Sequence, residues 1–341
     1  MGPLRFFRIT MAKLFPTKKL NKYFKHYLDE FIFNELSPKA LERFGAAEIL
    51  ENAPVPMNEQ DMKDLVEGKG LSAIRLAENM IVVMGADPLF VYNDKYAEFV
   101  QKIFNGKATI GIIDAGEKSA TKGKVEEACI YFRAALVLDP EIFEAMYSYA
   151  MATRAIYQAG GEEELIGNFK AESFRYLEGV TELYPDFSEA YYYLGYAYLN
   201  MGLYLKASLT WKSFLETSND SEKRREIKER FDALKNPVEI EKGVNEIASG
   251  RFESGITTLE KFTVGEYANW WPLHYYLGIG YSACGDYNKG IEEFKRVLSL
   301  SPSHIETMEE LVELYRIIGD HENEEKYLNK IELIRSENIM Q

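Results

Sequence analysis

Residues 277–302 read LGIGYSACGDYNKGIEEFKRVLSLSP, and this stretch decides the fold of the chain. Its motif Leu277-Gly278-x-x-Tyr281 places three side chains on one face of a helix, and the glycine leaves room there for a neighbouring backbone. Further on, Gly290 precedes Phe294 by four positions, so a second helix carries a gap beside a large ring. Proline cannot continue a helix, so Pro302 ends the unit. The stretch therefore predicts two helices joined by a turn.

The same arrangement recurs along the chain. Leu194-Gly195-x-x-Tyr198 is followed by Ala207 and Trp211 at the same distances. A weaker copy follows downstream, with Leu311, Tyr315 and Leu328. Two copies of the second helix lie upstream, one with Ala128, Phe132, Ala135 and Pro140 and the other with Ser173, Leu177, Val180 and Pro185. A period of this length predicts a repeat architecture.

These motifs resemble the tetratricopeptide repeat, with its Leu-Gly-x-x-Tyr first helix, its small-x-x-x-aromatic second helix and its terminal proline. The frames begin near Thr109, Phe143, Ser188, Asn236, Trp271 and Ile305. A single helix pair cannot bury its apolar face, so the units must stack. The resemblance implies an all-α fold, an α-α superhelical solenoid with an N-terminal helical extension. We expect no β-strand.

Departures from the pattern divide the chain into three predicted regions. The Phe143 frame carries extra residues around 159–164, which predict a longer loop or extended helices. Residues 221–234 predict a mostly solvated helix with an apolar stripe, and the Asn236 frame loses its Leu-Gly-x-x-Tyr half. The predicted regions are 1–108, N-terminal helices with a degenerate repeat near 54–88; 109–221, repeats; and 222–341, a linker helix and C-terminal repeats.

Charge and cysteine usage narrow the class of partner and the compartment. The net charge is −14, although seven basic residues and no acidic residue lie within residues 1–28: Arg5, Arg8, Lys13, Lys18, Lys19, Lys22 and Lys25. A body this acidic repels phosphate backbones, so nucleic acid is not expected as a partner. Cys129 and Cys284 are expected to be small buried apolar residues. We expect a cytoplasmic protein.

No motif predicts catalysis, a metal site or a cofactor site. His26, His274, His304 and His321 have no metal-ligand spacing and are expected to be surface or loop histidines. Residues 116–124 resemble a phosphate loop, but the glycine spacing is wrong and no strand precedes it. We interpret that segment as the turn between two helices of a repeat.

The resemblance implies that the first helices line a groove that holds the partner. Tyrosine suits such a surface, since it combines a stiff apolar ring with a hydroxyl. The Lys, Asn and Arg set with which some family members hold carboxylates is absent, so we expect an extended peptide of apolar and basic character. The predicted groove residues are Tyr147, Met151, Arg154, Tyr192, Tyr196, Asn200, Tyr275, Ile279, Ser282, Glu309, Glu313 and Arg316.

The N-terminal helix, with an apolar stripe that begins after a cap at Thr17, allows three interpretations. It caps the first repeats, it contacts a membrane surface weakly through residues 17–33, or it competes with the partner for the groove. For the whole chain, the leading interpretation is a non-catalytic adaptor that binds a protein segment. The alternative is a peptide-sensing regulator whose N-terminal helices bind an effector.

Overall fold

The structure, a computed structural model, describes residues 14–339, with side chains up to residue 336. Arg5, Arg8 and Lys13 of the basic stretch lie outside this range. Contacts between residues divide the chain into two units, Met1–Leu194 (unit 1) and Gly195–Gln341 (unit 2). The three predicted regions 1–108, 109–221 and 222–341 stay a prediction based on repeat register.

Unit 1 begins with helices outside the regular repeats and continues into two repeat pairs. A 3-10 turn, Lys18–Leu20, precedes the first helix. The elements are α1 (Asn21–Leu28), β1 (Ile32–Asn34), α2 (Pro38–Arg43), β2 (Val55–Met57), α3 (Glu59–Val66), α4 (Ala73–Ala86), α5 (Asn93–Ile103), α6 (Ala108–Thr121), α7 (Val125–Leu138), α8 (Phe143–Ala159) and α9 (Glu163–Leu183). The division between the units falls within α10 (Ser188–Asn200).

Unit 2 contains helices and no strand within its described residues. They are α11 (Tyr204–Thr217), α12 (Ser221–Ala233), α13 (Lys235–Ala248), α14 (Phe252–Leu259), α15 (Trp271–Ala283), α16 (Tyr287–Leu300), α17 (Ile305–Ile318) and α18 (His321–Ile339). A 3-10 turn, Glu260–Phe262, follows α14. The solvated linker helix predicted at residues 221–234 is α12, whose Ile227 is buried.

The repeat frames predicted from the sequence coincide with helix starts. α8, α10, α15 and α17 begin at the predicted residue, and α6 and α13 begin one residue earlier. Five first helices pack on the helix that follows, namely α6 on α7, α8 on α9, α13 on α14, α15 on α16 and α17 on α18, and neighbouring pairs stack within each unit. The all-α repeat fold is confirmed. The extra residues near 159–164 lengthen α8 and α9.

A glycine on the first helix faces a large side chain of the second helix in four pairs. A Cβ atom on Gly278 would lie 2.6 Å from the Phe294 ring, far inside van der Waals contact. The glycine thus makes room for a ring of its own repeat, and the prediction that it admits a neighbouring backbone is wrong. Gly243 shows that the Asn236 frame keeps the same packing of a first-helix glycine against a large side chain of the second helix. The pairs are Gly116–Phe132, Gly195–Trp211, Gly243–Leu259 and Gly278–Phe294.

Two short strands correct the expectation of a strand-free chain. β1 pairs with β2 in antiparallel register, with Phe33 opposite Pro56. Proline cannot donate to a ladder and is tolerated at a sheet edge, and in a two-stranded sheet both strands are edges.

In the interval 54–88, where a degenerate repeat was predicted, α4 packs mainly on α7 and α5. The main neighbours of α4 therefore lie outside the predicted degenerate repeat.

Residues 14–28, here called the N-terminal segment, lie against α4, α7 and α9 of unit 1. The backbone N–H of Thr17 donates to Glu172 at 2.9 Å, and Arg175 donates to the Phe15 carbonyl at 2.6 Å. Thr17 makes no side-chain cap, and α1 ends at Leu28, before the end of the segment 17–33 considered for a membrane contact. These contacts agree with the first of the three interpretations of this helix.

Buried charge and aromatic packing hold the N-terminal segment. Arg133, fully buried on α7, donates to the Gly85 carbonyl at 2.6 Å and to the Asn21 side chain, and its guanidinium lies 4.8 Å from the Phe24 ring centroid. Glu172, also buried, accepts from Tyr149 at 3.2 Å. Buried polar groups of this kind are stable only when their hydrogen bonds are satisfied. The segment supplies several of those partners and is therefore part of the core of unit 1.

Candidate binding site

A pocket of about 610 Å³ opens in unit 2 at the start of α11, along α13 and at the start of α15. We call it the aromatic pocket, because four of its lining residues are aromatic. It is lined by Gly202, Tyr204, Pro237, Ile240, Glu241, Val244, Glu266, Tyr267, Trp270, Pro272 and Tyr276. Pockets that bind ligands are concave and mostly apolar, with few polar groups, and this lining has that composition.

One face of α13 forms the floor of the aromatic pocket. Pro237, Ile240, Glu241 and Val244 are spaced by three, one and three positions, which places them on one side of a helix. The flank of α13 packs on α14, where Gly243 receives Leu259. Ile240 belongs to the same core cluster as Leu259, and Val244 packs against it, so the core of this repeat holds the pocket floor in place.

A short second helix gives the pocket its wall. α14 has 8 residues, whereas α16, the second helix of the next repeat, has 14. The chain between the 3-10 turn and α15, residues 263–270, is irregular and contributes Glu266, Tyr267 and Trp270 to the lining. Trp270 remains 41% exposed, so its indole is open to a ligand.

His274 on α15 fastens this irregular segment to the second helix of its own repeat. Its Nδ1 lies 2.6 Å from Glu293 Oε2, and its Nε2 lies 2.9 Å from the Ala268 carbonyl. Both partners are acceptors, so both ring nitrogens donate when the ring is protonated. Hydrogen bonding to Glu293 raises the pKa of His274. His274 is buried, and the prediction that all four histidines are surface or loop residues is wrong for this one.

The charged groups on the pocket lining are both carboxylates. Glu241 Oε2 accepts from the backbone N–H of Leu205 at 2.6 Å, which fixes this carboxylate at the first turn of α11, where helices favour negative charge. Glu266 is exposed. Burial, the Glu266 charge and the neighbouring Tyr204 raise the pKa of Tyr267, so its hydroxyl stays protonated at neutral pH.

The predicted groove residues of unit 1 are partly buried and in contact with other side chains. Tyr147 stacks on Phe143 and meets the edge of Phe187 at 4.8 Å between ring centroids. The Arg154 guanidinium lies 4.8 Å from the Tyr193 ring centroid. Tyr192 meets Tyr193 edge to face, and Met151 is partly buried. These positions, all on first helices, keep part of their surface accessible.

In unit 2, the predicted tyrosines are packed more closely. Tyr196 donates to Glu226, meets the Trp211 ring at 5.0 Å and lies under Arg230, so helices α11 and α12 cover much of it. Tyr275 contacts the rings of Phe294 and His304. Asn200 is exposed, whereas Ile279 packs between two clusters of the core and Ser282 donates to the Gly278 carbonyl.

Glu309, Glu313 and Arg316 lie together in a second pocket of about 420 Å³ between α17 and α18. Arg316 bonds to Glu313 at 2.6 Å and to Glu324 at 2.8 Å, and Arg335 bonds to Glu309. Burial, followed by the charges of Glu309 and Glu313, raises the pKa of Glu310. The acidic C-terminal end expected from the sequence is therefore largely paired within the chain.

The aromatic pocket was missed by the sequence analysis, although a signal for it exists. In the Trp271 frame, groove positions were assigned to the fifth and ninth residues, Tyr275 and Ile279. The same offsets in the Asn236 frame give Ile240 and Val244, and both line the pocket. In that frame Lys242 and Glu246 stand in place of the motif's leucine and tyrosine, so the motif itself does not mark these positions.

Three further expectations concern residues that could react or bind a ligand. Cys129 is buried and its thiol pKa is raised by burial, but Cys284 is exposed, contrary to expectation. Residues 116–121 belong to α6, so only the end of the segment 116–124 is a turn. Within the described residues, no group of three or more His, Cys, Asp or Glu side chains is arranged to hold a metal ion, and no helix is long and apolar enough to cross a membrane.

Comparison with known proteins identifies the repeat. Family models described as tetratricopeptide repeat match residues 176–207 and 274–304. No curated protein matches the chain.

Among solved structures, the tetratricopeptide domain of P58(IPK) is 21% identical, with 65% of this chain and 59% of that chain covered and a TM-score of 0.36. MamA from Desulfovibrio magneticus RS-1 is 20% identical, with 55% and 96% covered and a TM-score of 0.33. A repeat protein from Parabacteroides merdae is 14% identical, with 85% and 93% covered and a TM-score of 0.31. The match thus spans less than two thirds of the P58(IPK) chain.

Proposed function

Because this chain is a tetratricopeptide-repeat protein, we propose that it is a non-catalytic adaptor that binds an extended protein segment through the first helices of its repeats. Repeats of this kind serve in general as protein-interaction modules. The partner segment carries apolar and basic side chains, and nucleic acid is not a partner. The cytoplasm is the compartment in which we expect this binding.

The aromatic pocket is the observation that carries this proposal. It is lined by the first helices α13 and α15 of two successive repeats in unit 2, by the start of α11 and by the irregular segment 263–270, and it combines four aromatic rings with two prolines and two carboxylates. A few residues, often Trp or Tyr that a partner buries in a pocket, contribute most of the binding free energy at protein interfaces. Trp270, at the open side of the lining, is the residue that a partner side chain would contact first.

Residues expected from the sequence provide further proposed contacts in each unit considered by itself. Asn200, Tyr275 and Ile279 lie on first helices of unit 2, and Tyr147, Met151 and Arg154 lie on a first helix of unit 1. We assign them secondary contacts, because all but the exposed Asn200 are already packed in part against neighbours. Substitution there should weaken binding less than substitution at Trp270.

A displayed library of random peptides tests the proposal. The purified full chain is used to select peptides, and the affinity of each selected peptide is then measured by calorimetry. We expect basic and apolar sequences to be enriched, and Trp270→Ala to weaken their binding at least about tenfold. Val264→Ala is the matched control, because Val264 is 75% exposed in the same irregular segment and does not line the pocket. Selection of no peptide, or equal affinity for both variants, would overturn the proposal.

A further inference from the structure

The aromatic pocket differs from three other pockets in the described residues in that its lining lacks a basic side chain. Its lining includes two glutamates and no lysine or arginine. Each of three other pockets includes a basic side chain of its own: Arg316 and Arg335 in the pocket between α17 and α18, Lys107 beside α6, and Arg224, Arg225 and Lys228 beside α12. In those three pockets acidic and basic side chains lie side by side, whereas the carboxylates of the aromatic pocket have no basic side chain beside them in its lining.

Two basic residues near the aromatic pocket, one on α13 and one that contacts the irregular segment 263–270, bond to groups outside the lining. Lys242, on α13, bonds to Glu239 at 2.7 Å. Arg296, on α16, donates to Asn269 at 2.9 Å. Neither side chain is part of the lining. The negative potential of Glu241 and Glu266 is therefore available to a cation that comes from outside the chain.

The lining suits a cation with an apolar surface better than a strongly hydrated one. Aromatic rings attract cations through their quadrupoles, and alkylated ammonium groups are recognised by clusters of such rings. A primary ammonium needs acceptors for three N–H groups, but one carboxylate oxygen of Glu241 is already committed to Leu205. An ammonium whose hydrogens are replaced by methyl groups has no such need and gains contact with rings and prolines.

We propose that the aromatic pocket of unit 2 binds a methylated lysine side chain of the partner segment. The inference rests on the proposed function, since the lysine belongs to the segment that the adaptor holds. A volume of about 610 Å³ accommodates the lysine stem, its methylated nitrogen and part of a neighbouring residue. Trp270, Tyr267, Tyr204 and Tyr276 surround the head group, and Glu266 supplies the opposite charge.

A pair of ligands of equal shape tests this inference directly. Acetyl-trimethyllysine amide and its carbon isostere, in which a tert-butyl group replaces the trimethylammonium group, are titrated into the full chain and followed by NMR. We expect the cation to bind at least about tenfold more tightly than the isostere. The advantage should fall in Glu266→Gln and disappear in Trp270→Leu, while Val264→Ala retains it.

The outcomes separate this inference from the proposed function. Equal binding of the two ligands, or preference for unmethylated lysine, overturns the methyllysine assignment, while segments selected through Trp270 would still support the adaptor. Trp270-dependent binding to vesicles of phosphatidylcholine, without binding to trimethyllysine, would assign the pocket to a lipid head group and also overturn it. Failure of the adaptor proposal appears separately, as selected segments whose affinity does not depend on Trp270.

Discussion

Unit 1 and unit 2 use the same helix pairs for opposite purposes. In unit 1, the N-terminal segment covers parts of α4, α7 and α9 and satisfies buried charges such as Arg133 and Glu172. In unit 2, α13 and the irregular segment 263–270 line an aromatic pocket that no residue in the described part of the chain fills. The difference teaches that a segment of the same chain can cover part of a repeat surface. A ligand is therefore expected at the part of the surface that stays uncovered.

Removal of the Arg133 charge should have the largest effect, and it tests whether the N-terminal segment is truly part of the core. Arg133→Met leaves the Gly85 carbonyl and the Asn21 side chain without their donor and removes the positive partner of a buried site. We expect the free energy of local unfolding of α7 to α9 to fall by about 3–5 kcal/mol. Amide hydrogen exchange of the full chain measures it. Lys118→Met, at an exposed ion pair on α6, is the control and should leave exchange unchanged.

A glycine substitution probes what the two units share. Gly116→Ala in unit 1 and Gly278→Ala in unit 2 each place a Cβ 2.6 Å from a phenylalanine ring, so the ring must move. We expect each to destabilise its own repeat by about 1–3 kcal/mol. Thermal unfolding and hydrogen exchange report the loss. Phe294→Leu should recover part of it in the Gly278→Ala background, and a lack of any recovery would refute the packing account.

His274 gives unit 2 a pH dependence of smaller size. Its pKa is raised in the folded chain by Glu293, while the nearby Arg296 acts in the opposite direction. A raised folded pKa means that the stabilisation is fully present below the ordinary value of 6.5 and is lost as the pH rises through the folded pKa. We expect the opening of residues 263–270, measured by hydrogen exchange after correction for its intrinsic pH dependence, to increase about tenfold over that range.

The His274→Gln variant separates this effect from general loosening at high pH. Its residues 263–270 should already open readily at low pH, with no further pH dependence beyond that of its neighbours. The amides of α7 in unit 1 serve as an internal control, because they lie far along the chain from His274. A variant that retains the wild-type pH profile would assign the dependence to another group.

The smallest effect is expected at the Lys22–Glu164 pair. Both side chains are more than 60% exposed, although their atoms lie 2.6 Å apart. Solvent screens such pairs and ordering the side chains costs entropy, so Lys22→Met should leave the unfolding transition unchanged within error. A clear loss of stability would show that surface charge, and not buried contacts such as those of Phe24 and Asn21, holds the N-terminal segment.

The regular repeats could be predicted from the sequence, because each of their signals is local. Leu277, Gly278, Tyr281, Gly290 and Phe294 lie within one helix pair, so their spacing alone specifies which faces meet. The same logic correctly placed the starts of α8, α10, α15 and α17.

Features that depend on distant residues could not be predicted in this way. β1 and β2 have three residues each and pair across an intervening helix, so neither carries a periodic signal. The burial of His274 requires Glu293 and Ala268 to converge on it. The aromatic pocket forms where α14 ends early, and the residues that identify the Asn236 frame do not indicate where its second helix ends.

The N-terminal segment also imposes an order of events when the protein is made. Thr17 bonds to a residue 155 positions further along, and Phe15 to one 160 positions further along. At translation rates of about 5–20 residues per second, α9 leaves the ribosome roughly 8 to 30 seconds after the segment that it will hold. During that interval the ring of Phe24 cannot yet pack in its final position. A chaperone that binds apolar surface could bind the segment at this stage. The helix pairs of unit 2, whose partners follow within a few dozen residues, need no such delay.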